Sequence, residues 1–161
     1  KGGHNQEMHN QNDVGNFVPV IAKQSTVAKG ETPIIMRWDY SALSDKDVLA
    51  GNPNIEVVYP ASGSIAGIYI QAISAYAPHP NAAKLWMEFL YSDEGQNIWL
   101  KGYCHPIRFA DMQANGTVNE EFAAKLPTFD GPIAFPSIDQ INAAKQVIAD
   151  NWMTAVGADV K

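Results

Sequence analysis

A tryptophan, a carboxylate and a phenol stand side by side at Trp38, Asp39 and Tyr40, directly after an apolar run that begins at Pro33. In a regular strand Trp38 and Tyr40 share one face and Asp39 lies on the other. A turn at the end of a strand breaks this alternation and allows all three side chains to converge. The carboxyl ends of strands in open α/β sheets bind ligands. The alternative is structural, with both rings in the core and Asp39 capping a helix.

A second candidate pair lies in the segment GIYIQAISAY, where Tyr69 and Gln71 alternate with apolar residues. One face of this predicted strand is wholly apolar and should be buried. The other face presents a phenol and an amide, which are suited to orienting a polar ligand. The alternative is an ordinary strand with one solvated face.

Enzyme chemistry has weaker support. Cys104 and His105 are neighbours, but adjacent residues rarely place their reactive atoms in line, and no orienting acid is evident nearby in the sequence. A hydrolase or transferase would need Asp39, His105 or Cys104 within hydrogen-bond reach across the fold. The chain has no phosphate-binding glycine loop and no zinc-type spacing, so we predict no catalytic residues, no metal and no cofactor. This pattern favours a binding function.

The composition excludes some partners. The chain has 161 residues, enough for one ordinary domain, and a net charge of −6. This balance argues against nucleic acid, since neutralising phosphates requires a surplus of Lys and Arg. The single cysteine cannot form an internal disulfide, and no apolar run approaches the ~18 residues of a membrane span.

Strand patterns dominate the first half of the chain and helical patterns the second. Residues 1–16 are polar and predict a loop or frayed terminus. Apolar runs bounded by Gly and Pro predict strands at Phe17–Gln24, Thr32–Tyr40, Ile55–Pro60 and Ile65–Ala77. This order of elements suggests an α/β or α+β fold.

Capping signals predict where the helices begin. Asn81 and Ser92 are expected to start two consecutive helices, with Gly102 ending the second. Two capping boxes, Thr117 with Glu120 and Ser137 with Gln140, are expected to open two more, the last reaching about Val156. The apolar stripes expected to be buried are Ala82, Leu85, Trp86, Phe89 and Leu90 in the first helix, and Ile141, Ala144, Ile148, Trp152 and Ala155 in the last.

Two segments carry a resemblance to a known family. The stretch GSIAGIYIQAISAYAPHPNAAKLWMEFLYSDEGQNIWLKGY resembles the later half of bacterial ABC-transporter solute-binding proteins, in the class of iron(III), polyamine and phosphonate binders. Its most specific part is APHPNAAKLWMEFLYSDEGQ, and KGETPIIMRWDYSAL also resembles a Gly-Glu-x-Pro strand of that family. The resemblance implies a periplasmic-binding-protein type II fold, an α/β architecture of two lobes with the ligand between them. It further implies a partial chain that lacks the first half, with 17–161 as the C-terminal portion and 1–16 as a disordered lead-in.

The same resemblance assigns the candidate residues to a ligand cleft. Trp38, Asp39 and Tyr40 match the cleft segment, and Tyr69 and Gln71 match the strand that faces the ligand. A carboxylate with aromatic rings suits an organic cation such as a polyamine, because each ring adds cation–π attraction of about 0.5–2 kcal/mol. Ferric ion and phosphonate or another oxyanion remain alternatives, and Arg37 could pair with Asp39 or reach such an oxyanion.

The resemblance also implies a cellular role. It predicts a periplasmic protein that is not an enzyme and that is a monomer when full length. Its partners would be a small-molecule solute and an ABC permease in the inner membrane. Ligand capture would proceed by hinge closure of the two lobes.

Overall fold

The computed structural model describes residues 3–17, 22–61, 64–129 and 131–158. These residues form two compact units. Unit 1 consists of the described residues up to Ile35 together with those from Ala134 onward, and unit 2 runs from Met36 to Ile133. The boundary expected between residues 16 and 17 falls inside unit 1. The expectation that 17–161 is the C-terminal portion of a two-lobed protein stays a prediction.

Helices account for most of the regular structure. In chain order the elements are α1 (Gly3–Asp13), α2 (Gln24–Ala28), α3 (Asp39–Leu49), β1 (Ser64–Ile65), α4 (Pro80–Tyr91), α5 (Asp93–Lys101), α6 (Phe109–Asn115), α7 (Glu120–Ala123), β2 (Ile133–Ala134) and α8 (Ile138–Ala155). The two short strands pair in a two-stranded sheet.

Unit 1 is organised around the packing of α1 against α8. The Phe17 and Trp152 rings lie 6.4 Å apart, and the Trp152 indole donates a hydrogen bond of 2.6 Å to the carbonyl of Ala158. The structure differs here from the loop expected for residues 1–16. Tertiary packing stabilises helices whose own propensity is weak, and the contact with α8 supplies such packing to α1.

The core of unit 2 lies where α5 meets the segment from α6 to α7. Its buried members are Leu100, Met112 and Val118, with Phe109, Phe122, Ala123 and Leu126 packed around them. This cluster anchors the end of α5, and the loop that follows α5 carries Tyr103, Cys104 and His105.

The corner between α4 and α5 is built by the Ser92-Asp-Glu-Gly-Gln96 segment. The Ser92 hydroxyl accepts a hydrogen bond of 3.1 Å from the backbone N–H of Gly95, which confirms the predicted cap. The buried Gln96 amide donates to the carbonyl of Leu90 at 2.7 Å and accepts from the backbone N–H of Arg108 at 3.2 Å. Its side chain therefore ties the corner to the segment that leads into α6.

The capping predictions have mixed outcomes. The capping box of Ser137 with Gln140 is confirmed at the start of α8. The box predicted at Thr117 is wrong, because Asn119 occupies the cap and its side chain accepts from the N–H of Phe122 at 3.1 Å. The cap predicted at Asn81 is also wrong: His79 precedes α4, and proline takes its first position, where the missing N–H costs nothing.

The predicted strands form only in part. Among the described residues, strand pairing is limited to β1 and β2. Of Ile65–Ala77, only Ile65 lies in a strand, and the face expected to be buried is open, with Ile70 87% exposed. The Thr32–Tyr40 and Ile55–Pro60 runs are unpaired, while the run at Phe17–Gln24 falls largely on residues 18–21, outside the described chain.

The two apolar stripes that were predicted to be buried are also largely exposed to solvent. On α4, Leu85 and Trp86 are exposed, and on α8, Ile141 and Ile148 are exposed while Trp152 is half-buried. Among the described residues, the expected α/β fold is therefore represented by helices and one two-stranded sheet. Strand pairing and stripe burial both depend on a second surface, and the described chain supplies little of it.

Candidate functional site

The start of α3 positions the first three candidate residues. Trp38 is the extended residue before the helix, with φ −61° and ψ 140°, and its carbonyl accepts from the N–H groups of Ser41 and Ala42 at 3.1 Å each. Asp39 is the first helical residue, and its carboxylate accepts from the N–H of Tyr40 at 2.8 Å. The capping alternative for Asp39 is therefore wrong, since Trp38 holds the cap position. A carboxylate in the first turn is still favoured by the helix dipole.

Two of these residues meet the segment that follows β1. A Cβ atom added to Gly67 would lie only 3.1 Å from the Trp38 ring, so the ring rests on the glycine backbone. The Tyr40 and Tyr69 hydroxyls are 3.0 Å apart, and their rings meet edge to face with centroids 6.5 Å apart. The structure thus brings the Trp38–Tyr40 segment to Tyr69, across 29 residues of sequence.

No observed hydrogen bond joins Gln71 to Trp38, Tyr40 or Tyr69. It is exposed, and its side chain forms no hydrogen bond with a described residue. Its role as a ligand contact stays a prediction, as do the roles of the other four residues.

The negative charge of Asp39 affects the pKa values of two other groups, Cys104 and Tyr59. Burial raises the pKa of the Cys104 thiol, and the Asp39 carboxylate raises it further. The pKa of Tyr59 is raised by the same two causes in the same order. Within the described chain Asp39 has no ion-pair partner, because Arg37 binds Asp45 instead. Within the described residues Asp39 is therefore a carboxylate without an ion-pair partner, and its charge adds to the burial that raises the pKa values of Cys104 and Tyr59.

Tyr59 is the residue that sequence reasoning missed. Its hydroxyl oxygen is buried and has no hydrogen-bond partner among the described residues. Its ring packs edge to face on Phe129, with centroids 5.0 Å apart at 87°. Tyr59 could have been proposed from the sequence. It lies at the carboxyl end of the predicted strand Ile55–Pro60, just as Asp39 lies at the carboxyl end of the predicted strand Thr32–Tyr40, and such ends bind ligands in α/β sheets.

The Tyr40–Tyr69 contact also affects titration. Their hydrogen bond raises the pKa of Tyr69, with burial and the charges of Tyr40 and Cys104 adding to it. A phenol held in this way remains a neutral donor or acceptor near pH 7, because its ordinary pKa is already about 10.

The arrangement needed for a hydrolase is not formed in the described chain. No hydrogen bond joins Asp39, Cys104 and His105, and the Cys104 sulfur lies 3.8 Å from the carbonyl of Gly102. His105 instead lies against Phe129, with ring centroids 5.8 Å apart. The raised pKa keeps Cys104 as a thiol, whereas the thiolate is the nucleophile.

Two pockets open within unit 2. The first has a volume of about 340 Å³ and is called the Arg37 pocket here; it is lined by Arg37, Tyr40, Ser41, Ser44, Asp45, Lys101, Gly102 and Tyr103. The second, of about 280 Å³, is lined by Tyr59, Phe129 and residues close to them in the sequence, including Glu56. Both are at the small end of the range for ligand pockets. In the described chain no group of three or more His, Cys, Asp or Glu side chains is placed to hold a metal ion.

A model of the bacterial extracellular solute-binding protein family matches residues 8–131. The chain belongs to this family. The match begins inside α1 and covers α3, the Asp39 region and the corner between α4 and α5. No curated protein matches the sequence. None of the helices in the described residues is long and apolar enough to cross a membrane.

Membership confirms the resemblance to ABC-type solute-binding proteins. It implies that the protein binds a small solute outside the cytoplasm and works with an ABC transporter. Solute-binding families are generally non-enzymatic, and the family fits a periplasmic-binding-protein fold. The identity of the solute is not fixed by the family.

Proposed function

We propose that this solute-binding protein captures a small organic cation at Asp39 and delivers it to the permease of an ABC importer. The Asp39 site is defined as Trp38, Asp39, Tyr40, Tyr59 and Tyr69. The observation that carries the proposal is the Asp39 carboxylate, which lacks a cation partner among the described residues. It accepts from the N–H of Tyr40, whose ring contacts that of Tyr69, and its charge reaches Tyr59.

The choice of a cation as the solute follows from the ion pair that Arg37 forms. The sequence left Arg37 free to pair with Asp39 or to reach an oxyanion. In the structure the Arg37 guanidinium binds the buried Asp45 carboxylate, so it does not neutralise Asp39. An ammonium group would supply the missing charge, and each ring face would add about 0.5–2 kcal/mol of cation–π attraction. Among organic cations, a polyamine is the solute that the sequence favours.

Ferric ion is the competing solute, because three phenols, those of Tyr40, Tyr59 and Tyr69, belong to the Asp39 site. Ferric coordination by phenols requires their ionised form. The Tyr40 and Tyr69 hydroxyls are hydrogen-bonded to each other at 3.0 Å, an arrangement that requires at least one protonated phenol, so we favour the cation. Phosphonates lack support at Asp39 itself, since a carboxylate repels them.

The wider architecture is part of the same proposal. We infer a type II fold with two lobes that close about a hinge, in which the described chain is the C-terminal portion and is a monomer when full length. The support is the open apolar surface of the Ile65–Ala77 segment, where Ile68, Ile70 and Tyr76 are exposed. A strand of this composition is stable when it is paired and covered. We place the protein in the periplasm, with its permease in the inner membrane.

The test is direct binding of putrescine by calorimetry to the wild-type chain and to Asp39→Asn. Because hydrogen bonds to charged groups contribute roughly 1.5–3 kcal/mol, the variant should bind about 10- to 100-fold more weakly. Asp139→Asn is the matched control, since Asp139 also lies in the first turn of a helix and should leave the affinity unchanged. Equal affinity of wild type and Asp39→Asn would overturn the cation proposal, and tight binding of ferric citrate alone would favour the competing solute.

A further inference from the structure

The Arg37 pocket lies next to the Asp39 site but has the opposite character. Tyr40 belongs to both: its hydroxyl meets Tyr69 in the Asp39 site, and its side chain lines the pocket. Apart from Asp45, every charged side chain that lines the pocket is a cation. The pocket has a volume of about 340 Å³, which is enough for a small polar group.

Arg37 is held in place by a buried acid. Asp45 is only 6% exposed and accepts from one terminal nitrogen of the guanidinium. A guanidinium carries five N–H donors in a fixed fork, and the other donors of Arg37 have no partner among the described residues. A partly exposed arginine that is oriented by a buried carboxylate is a preorganised donor for an oxyanion.

Lys101 supplies the second positive charge. It forms no ion pair within the described chain, and the Asp47 carboxylate pairs with Lys125 at 3.2 Å. Asp47 also accepts from the Tyr103 hydroxyl. Since Asp45 neutralises Arg37, Lys101 leaves the pocket with a net charge of about +1 on simple charge counting.

Two serine hydroxyls complete the set of donors. Ser41 and Ser44 line the pocket from α3, one turn apart. Neither hydroxyl forms a hydrogen bond in the part of the chain that the structure describes. Hydroxyls can donate to a negatively charged oxygen, as the remaining N–H groups of Arg37 and the Lys101 ammonium can.

We propose that the Arg37 pocket binds an oxyanion, a carboxylate or a phosphate, beside the cation held at Asp39. The oxyanion is either the second end of a zwitterionic solute or a separate small anion bound together with the cation. The first source rests on the proposed function. Either source narrows the polyamine proposal to binding in which the second ammonium stays outside this pocket, because inside the pocket that ammonium would meet the charge of Lys101.

Three ligands of equal carbon length separate the possibilities: butylamine, 4-aminobutyrate and putrescine. All three carry an ammonium at one end, and the far end is a methyl group, a carboxylate or a second ammonium, respectively. Calorimetry on the wild-type chain should show 4-aminobutyrate binding about tenfold more tightly than butylamine if the oxyanion belongs to the solute. If the anion is separate, inorganic phosphate should instead tighten butylamine binding by a similar factor.

Lys101→Met tests the pocket itself, with Lys145→Met as the matched control because Lys145 is a helical lysine on α8. Lys101→Met should abolish the preference for 4-aminobutyrate or the effect of phosphate, and the control should keep it. Circular dichroism establishes that both variants fold. If neither anion effect exists in the wild type, or if Lys101→Met retains it, the inference is overturned.

Failure of the pocket and failure of the proposed function give different results. Butylamine binding that depends on Asp39, without any anion effect, refutes the pocket and leaves the cation proposal standing. Phosphate binding that depends on Lys101, without binding of any amine, supports the pocket and refutes the cation proposal. Absence of all binding refutes both.

Discussion

Gly95→Ala tests whether the corner between α4 and α5 depends on the absence of a side chain. Gly95 is buried in the first turn of α5. A Cβ atom at this position would overlap the carbonyl oxygen of Phe89 and lie 2.9 Å from the Cα of Leu90. Both atoms belong to the backbone of α4, so no side-chain rotation can relieve the overlap.

The magnitude follows from this geometry. Carbon atoms pack at about 3.5–4.0 Å, so the contact with the Leu90 Cα alone requires the two helices to separate by roughly 0.6–1.1 Å around Gly95. Overpacking of this kind costs about 1–3 kcal/mol. The displacement also strains the hydrogen bonds that Ser92 and Gln96 make across the corner, each contributing about 1 kcal/mol. We therefore expect Gly95→Ala to lower the free energy of unfolding by about 3–4 kcal/mol.

The assay is urea unfolding followed by circular dichroism, with Gly102→Ala as the matched control at the other end of α5. With a slope near 2 kcal/mol per molar urea, the expected loss moves the midpoint of Gly95→Ala down by about 1.5–2 M. An added Cβ at Gly102 comes no closer than 3.4 Å to any neighbour, and its φ of −84° is ordinary. That substitution should change the free energy by less than about 1 kcal/mol. Equal midpoints for the two variants would refute the reasoning.

Three further predictions concern single side chains. Ser92→Ala removes the cap of α5 and should lower the free energy of unfolding by about 1 kcal/mol in the same assay; an unchanged midpoint would contradict the capping role. Asp39→Asn should lower the pKa of Cys104 only in part, because burial is the larger cause of its increase, and the pH profile of thiol alkylation would shift downward; an unshifted profile would show that the carboxylate charge does not reach Cys104. The hydrogen bond from Tyr103 lowers the pKa of Asp47 in the folded chain, so this pair contributes stability above the ordinary carboxyl pKa of 3.8 that is lost as the pH falls through the folded value. Asp47→Asn should flatten that acid-side decline in thermal unfolding, and an identical decline would exclude the pair as its source.

Helix boundaries were the most predictable part of the fold, because their signals are local. Ser92 and Ser137 each cap a helix through a backbone group three residues away, so the sequence window contains the whole interaction. The failures are also local: Asn119 displaced Thr117 as a cap by a shift of two residues. Strands were poorly predicted because a strand requires a partner that lies elsewhere in the chain or outside it. The exposed apolar residues Ile68 and Ile70 have the right composition for a strand, and no described segment pairs with them.

In the candidate site, too, some contacts could be predicted from the sequence and others could not. The meeting of Tyr40 with Tyr69 was predictable in outline, since both were expected to face one ligand, and the structure places their hydroxyls 3.0 Å apart. The pairing of Arg37 with Asp45 was not predictable, because it joins a residue that precedes α3 to one within α3, eight positions along the sequence. That pairing decides the charge of the site, since it leaves Asp39 without a cation. The sequence therefore named four of the five residues of the proposed Asp39 site and missed Tyr59, and the ion pair of Arg37 is visible only in the structure.

The segment that carries the most specific resemblance to the family performs a structural task. In SDEGQ, the Ser92 hydroxyl caps α5, Gly95 permits the close approach of two helices, and the Gln96 side chain connects Leu90 with Arg108. The motif thus maintains this corner, and none of its residues belongs to the Asp39 site or lines the Arg37 pocket. Its presence therefore supports the fold and has no bearing on the ligand. On the two proposals made above, we expect solute specificity to depend on side chains that lack partners in the described chain, namely the Asp39 carboxylate and the donors of the Arg37 pocket.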